Sequence, residues 1–151
     1  MYLVETISES PLILDDAIRE KALKSQNSKQ WIKLDSISIE EFVNLLPIQN
    51  YSPKTTYLIT TTGNANQNWI QEEEIDYLMK YLHSEQPSHC VMQAISSNLP
   101  IGKTSTVGGQ IQNLLVSHIN NKQYPNGLTI CESSDEKRIE VIEKLIKNKK
   151  N

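Results

Sequence analysis

A run of strand-forming residues, TTYLITTT, breaks at Gly63-Asn64-Ala65-Asn66 and gives way to an amphipathic helix before Ser84. Ile75, Leu78, Met79 and Leu82 fall at i, i+3, i+4 and i+7 and so share one face, while Glu72, Glu73, Glu74 and Lys80 point away from it. The same strand-then-helix unit recurs on either side. A chain that alternates the two elements closes its core as an α/β sheet with helices packed on it, and the strand over Tyr57 to Thr61 reads as the centre.

Before that unit, Tyr2 to Ile7 reads as a first strand. Ser10 can cap a helix with Pro11 at its first position and Leu14, Ala17 and Ile18 on its buried face, fading near Ser25. Trp31 to Leu34 is a short second strand, and Ser38-x-x-Glu41 is a capping box opening a helix with Phe42, Leu45 and Leu46 as its apolar stripe. After the unit, the apolar run from His89 to Ile95 predicts a buried strand, and Ile111, Leu114 and Leu115 predict a helix from about Val107 to Asn120. Leu128 to Cys131 is a last strand; Ser133-x-x-Glu136 then opens a closing helix with Ile139, Ile142, Leu145 and Ile146 on its apolar face. No hairpin signal separates the strands, because Asn126-Gly127 follows a helix. The expected fold is a single α/β domain over residues 1–151: a three-layer, mainly parallel five-stranded sheet with helices on both faces, Rossmann-like or AAA+-like without a working P-loop.

The length of 151 residues suits one core, and a formal charge of -3 argues against duplex DNA, whose phosphates require clustered cations. A protein partner is the expectation. Cys90 and Cys131 sit in strand-like apolar contexts and read as reduced core residues of a cytoplasmic protein. The first residues lack the pattern of a signal peptide, and no stretch approaches a membrane span.

Three places could carry chemistry or recognition. Gly102-Lys103-Thr104 follows a strand and precedes a helix as a phosphate loop does, but Ser97 stands where the motif needs its first glycine, and Pro100 removes an N–H donor. His83, His89 and His118 lack metal-ligand spacing, so His83 and His118 read as helix-end cations or polar surface, and Glu72 to Glu74 as a solvated first turn. Neither an enzyme nor a cofactor is expected. The loop Pro47-Ile48-Gln49-Asn50-Tyr51-Ser52-Pro53 is constrained by two prolines, and two readings are open for it. Ile48 and Tyr51 either tuck into the core or stand out as a partner-binding wedge, since aromatic anchors dominate interfaces.

Taken together, the segments YLVETISESPLILDDAIREKAL, SISIEEFVNLLPIQNYSPKTTYLITTT and EEEIDYLMKYLHSEQPSHCVMQAIS resemble the N-terminal domain of the delta subunit of the bacterial DNA polymerase III clamp loader. The resemblance is one of element order and apolar pattern over nearly the whole chain. It implies an AAA+-like fold that has lost nucleotide binding and acts on the sliding clamp. The family's clamp contact is a Leu-Phe pair on the loop before the central strand, and the matching positions are Asn50 and Tyr51, of which Tyr51 keeps the aromatic. Two other classes remain open on the residues themselves. One is a small acidic immunity protein that neutralises a toxin, and the other is a nucleotide-binding regulator using Lys103 and Thr104.

Overall fold

The computed structural model describes residues 17–18, 20, 31–96 and 99–150. Ala17, Ile18 and Glu20 are helical, within the helix predicted from Pro11 to Ser25; the strand predicted over Tyr2 to Ile7 lies outside the described residues. From there the order is a 3-10 turn (Leu34–Ser36), α1 (Ile39–Leu45), β1 (Leu58–Thr61), α2 (Glu72–Met79), β2 (Pro87–Ser88), β3 (Cys90–Gln93), β4 (Ser105–Thr106), α3 (Val107–Ile119), β5 (Thr129–Ile130) and α4 (Glu136–Lys150).

The five-stranded, mainly parallel, Rossmann-like or AAA+-like sheet is corrected. β1, β3 and β5 form a mixed sheet of three strands in that order, β1 parallel and β5 antiparallel to β3, while β2 and β4 form a separate antiparallel pair. The centre is β3 rather than the strand at Leu58–Thr61. All four residues of β3 are buried, which accounts for its near-continuous apolar run. The strand predicted at Trp31 to Leu34 shrinks to one parallel bridge between Ile32 and Thr61, after which the chain coils into the 3-10 turn.

The reversal of β5 has a traceable cause. At its start, α3 hydrogen-bonds to the chain just ahead of β2 and β3, with Val107 N–H donating to Gln86 O (2.9 Å) and Gly108 N–H to Ser84 O (2.9 Å). Beyond its end, Tyr124 O accepts from Ala65 N–H (2.7 Å), in the segment that leaves β1. The helix therefore runs in the same sense as β3, so the return to the starting end of β3 is made before β4 and not by α3. β5 then descends antiparallel, because a helix that has already climbed leaves its following strand only the return direction.

That direction places Cys90 opposite Cys131, one step beyond the Val91–Ile130 pair, and the two form a disulfide with Cα atoms 4.7 Å apart. The reading of both as reduced core cysteines is corrected. A parallel β3–β5 pair would not have brought them face to face; an antiparallel one closes opposed residues to about this spacing. The cysteines thus lend no support to a reducing compartment. Among the described residues, no helix is long and apolar enough to cross a membrane.

Local signals fare better. Ser38 Oγ accepts from Glu41 N–H while the Glu41 carboxylate accepts from Ser38 N–H, so both halves of the capping box are present at α1. Phe42, on the buried face of α1, meets Trp69 and Tyr124 edge-on at 5.5 and 5.8 Å between ring centroids, and Trp69 stacks on Tyr124 at 6.1 Å. Trp69 Nε1–H donates to Ile37 O (2.9 Å), which holds the partly buried ring against the core with its polar end satisfied.

Candidate functional site

The loop before β1 is built by bonds to its neighbours. Pro47 bridges Ser88, Ile48 N–H donates to Pro87 O (3.2 Å) and His89 N–H donates to Leu46 O (2.9 Å), so the chain leaving α1 is laid along β2. Further on, Ser52 N–H donates to the Tyr57 hydroxyl (3.0 Å), which itself donates to Asn50 O (3.5 Å). Asn50 between these anchors is left-handed at φ 55°, a conformation asparagine tolerates better than branched or bulky residues. Tyr51 is 38% exposed and lies on Tyr57 at 5.9 Å, and Tyr57 meets His89 edge-on at 5.8 Å. Ile48, half-buried, stays against the body of the protein. The fold thus brings Ile48, Asn50 and Tyr51 together on one pinned loop, with Asn50 and Tyr51 exposed and Ile48 half-buried.

Lys103 and Thr104 lie elsewhere, both exposed on the turn before β4. The helix end they precede has its donors engaged. Thr106 N–H donates to Glu132 O (3.0 Å), Val107 and Gly108 donate to Gln86 O and Ser84 O, and Gly109 N–H donates to the Thr106 hydroxyl (3.0 Å). Phosphate binding at a helix start relies on such N–H groups pointing outward. Gly108-Gly109, an unpromising helix opening by propensity, is explained by proximity: a Cβ on Gly109 would sit 2.0 Å from Glu132 O, and one on Gly108 2.6 Å from both Leu82 O and Ser84 O. Beneath this junction Gln110 Nε2 donates to Ser105 Oγ (2.9 Å) and Ile130 O (2.8 Å), and its Oε1 accepts from Tyr124 Oη (3.3 Å). Burial pushes the Tyr124 phenol upward, so it remains a neutral donor.

The opposite end of α3 was missed by sequence reasoning. It closes in a Schellman arrangement, with Lys122 N–H donating to Ser117 O (2.8 Å), Asn121 N–H to His118 O (3.2 Å), and Asn121 left-handed at φ 55°. Facing it across a cleft of about 270 Å³ are Gln67, Asn68, Ile70, Gln71 and Glu72 from the approach to α2. His118, expected as a terminal cation or polar surface, has a side chain only 16% exposed. Burial, and then Lys149, hold its imidazole below the ordinary value, against a smaller opposing pull from Glu72, so it is neutral near pH 7. Its Nε2 is buried without a hydrogen-bond partner among the described residues, the nearest carboxylate oxygen, of Glu72, standing 3.9 Å off. Helical periodicity puts His118 near a helix end but says nothing about what covers it; the loop that does so is 50 residues earlier in the chain.

The chain matches no protein-family model, no curated protein and no solved structure.

Proposed function

We propose that the chain is a non-catalytic protein-binding module that presents Tyr51 to its partner. One observation carries this reading: Tyr51 is exposed on a loop whose backbone is tied down on both sides, at Ile48 and at Ser52. A pinned loop loses little freedom on docking, so an aromatic held on it can serve as an anchor. Ile95, 80% exposed beyond the end of β3, and the exposed Leu128, whose carbonyl accepts from Gln93 N–H, are separate open apolar surface, at the other end of the strand from the Tyr51 loop.

The partner suggested by the resemblance is a sliding clamp. The left-handed Asn50 bears on that choice, because leucine, which the clamp-loader pattern has here, is disfavoured in this conformation by roughly 1–2 kcal/mol. Tyr51 alone therefore serves as the contact. The charge of -3 favours the second reading, a small acidic protein that covers a basic toxin surface. Use of Lys103 and Thr104 for a nucleotide draws no support from a helix start whose donors are engaged.

Titrating the protein against a purified bacterial sliding clamp tests the partner, and Tyr51→Ala tests the loop. We expect Tyr51→Ala to weaken binding about 30-fold, equivalent to about 2 kcal/mol, with an unchanged melting temperature. No binding at about 100 μM would remove the clamp as partner. An identified partner that binds Tyr51→Ala as well as the parent protein would remove the loop.

A further inference from the structure

The cleft beyond α3 has the features of a site rather than of a surface groove. Its walls come from segments 50 residues apart in sequence, and Ile70, buried, contributes apolar surface to it. Four side-chain amides, from Gln67, Asn68, Gln71 and Asn121, line it. An amide offers an acceptor oxygen and two N–H donors, although that of Gln71 is partly engaged by Asn68 O and by the cap of α2. Glu72 and Lys122 bring one charge of each sign, so the lining as a whole is electrically balanced.

Two further observations point to an occupant. Buried polar atoms in folded proteins almost always have partners, and one without calls for an explanation such as a bound molecule. His118 Nε2 is such an atom, and His118 lines the cleft. Asn121 is the second: it occupies a left-handed position that glycine fills more easily, yet it places an amide at the cleft.

We propose that this cleft binds a small neutral polyhydroxyl molecule, of the size and chemistry of a single sugar ring. A hydroxyl both donates and accepts, which matches an amide-lined wall, whereas an anion would meet the Glu72 carboxylate and a cation the Lys122 ammonium. The volume, below the several hundred Å³ of drug-sized sites, limits the ligand to about one ring. An adjoining small recess reaches the partly buried Trp69.

Amide chemical shifts recorded while glucose, galactose, mannose and N-acetylglucosamine are added in turn test the proposal, with acetate and inorganic phosphate as anionic probes. At least one sugar should move the resonances of residues 67–72 and 118–122, with a dissociation constant on the order of millimolar. Asn121→Gly should weaken that sugar about fivefold or more, the effect of one lost hydrogen bond, without lowering the melting temperature, since glycine suits the left-handed turn. The proposal is overturned if no sugar moves these resonances, if an anionic probe binds the cleft more tightly than every sugar, or if Asn121→Gly binds the sugar as well as the parent protein does.

Discussion

The two ends of α3 are treated oppositely by the rest of the molecule. At its start, all four N–H groups from Thr106 to Gly109 are engaged, two glycines let foreign carbonyls approach to contact, and a buried glutamine ties the junction to β4 and β5. At its end, a left-handed asparagine and a histidine whose Nε2 has no partner among the described residues line an open cleft. One helix therefore has a structural terminus and an available one. The lesson is that a phosphate-loop-like sequence can mark a helix start that the fold itself consumes, while the terminus without a motif is left open to a ligand.

The largest expected effect concerns what holds the structural end. The disulfide fixes the strand that delivers Glu132 to α3, and it joins residues 41 apart in sequence. By loop-closure entropy, Cys90→Ala with Cys131→Ala should lower unfolding free energy by about 4 kcal/mol. Chemical denaturation would measure it; a loss under about 1 kcal/mol would mean that the packing of β5 alone suffices. Next comes Gly109→Ala. A methyl 2.0 Å from Glu132 O cannot be accommodated without moving backbone, and overpacking of this kind costs about 3 kcal/mol. An alanine variant of parental stability would show that the junction is slack and the contrast between the ends overstated.

The smallest effect belongs to the open end and depends on pH. His118 is held neutral when folded, with Glu72 and Lys149 the charged groups facing it, whereas in the unfolded chain it titrates near 6.5. Below that value the unfolded state binds more protons than the folded one, so stability should fall as pH drops through about 6.5 and be insensitive to His118 above it. Melting temperatures from pH 8 down to about 5 should show a shallower acid slope for His118→Gln than for the parent protein. Equal slopes would mean that the imidazole is better solvated than its position indicates.

Patterns with local causes were legible in the sequence. The Ser38–Glu41 box and the stripe of Ile111, Leu114 and Leu115 reflect neighbours within a few residues and are found where predicted, while the buried run expected from His89 to Ile95 is a strand only over Cys90–Gln93 and ends before the exposed Ile95. The second box is shifted. Asp135 Oδ1, rather than Ser133, accepts from Lys137 and Arg138 N–H at the start of α4, while Ser134 instead donates to Ser84 O. What failed was direction. Nothing in the periodicity reveals that the chain returns to the starting end of β3 before α3 begins, and with that step unseen the sense of β5, the cysteine pairing and the cleft at His118 were all out of reach. Tyr51 is the intermediate case: the sequence leaves open whether it tucks into the core or stands out, and its exposure and the bonds that hold its loop to β2 and Tyr57 appear only in three dimensions.

The Cys90–Cys131 bond also gives the chain a covalent topology. It closes a ring that contains β3, β4, α3 and β5, including the Asn121–Lys122 wall of the cleft, while the facing wall at Gln67 to Glu72 lies on the open chain outside it. The exposed turn carrying Ile101 and Lys103 belongs to the ring as well. A protease that cuts once at that turn would release no fragment, because the two pieces remain linked through sulfur. Only reduction would separate them, so intact and nicked molecules would differ on a reducing gel and not on a non-reducing one.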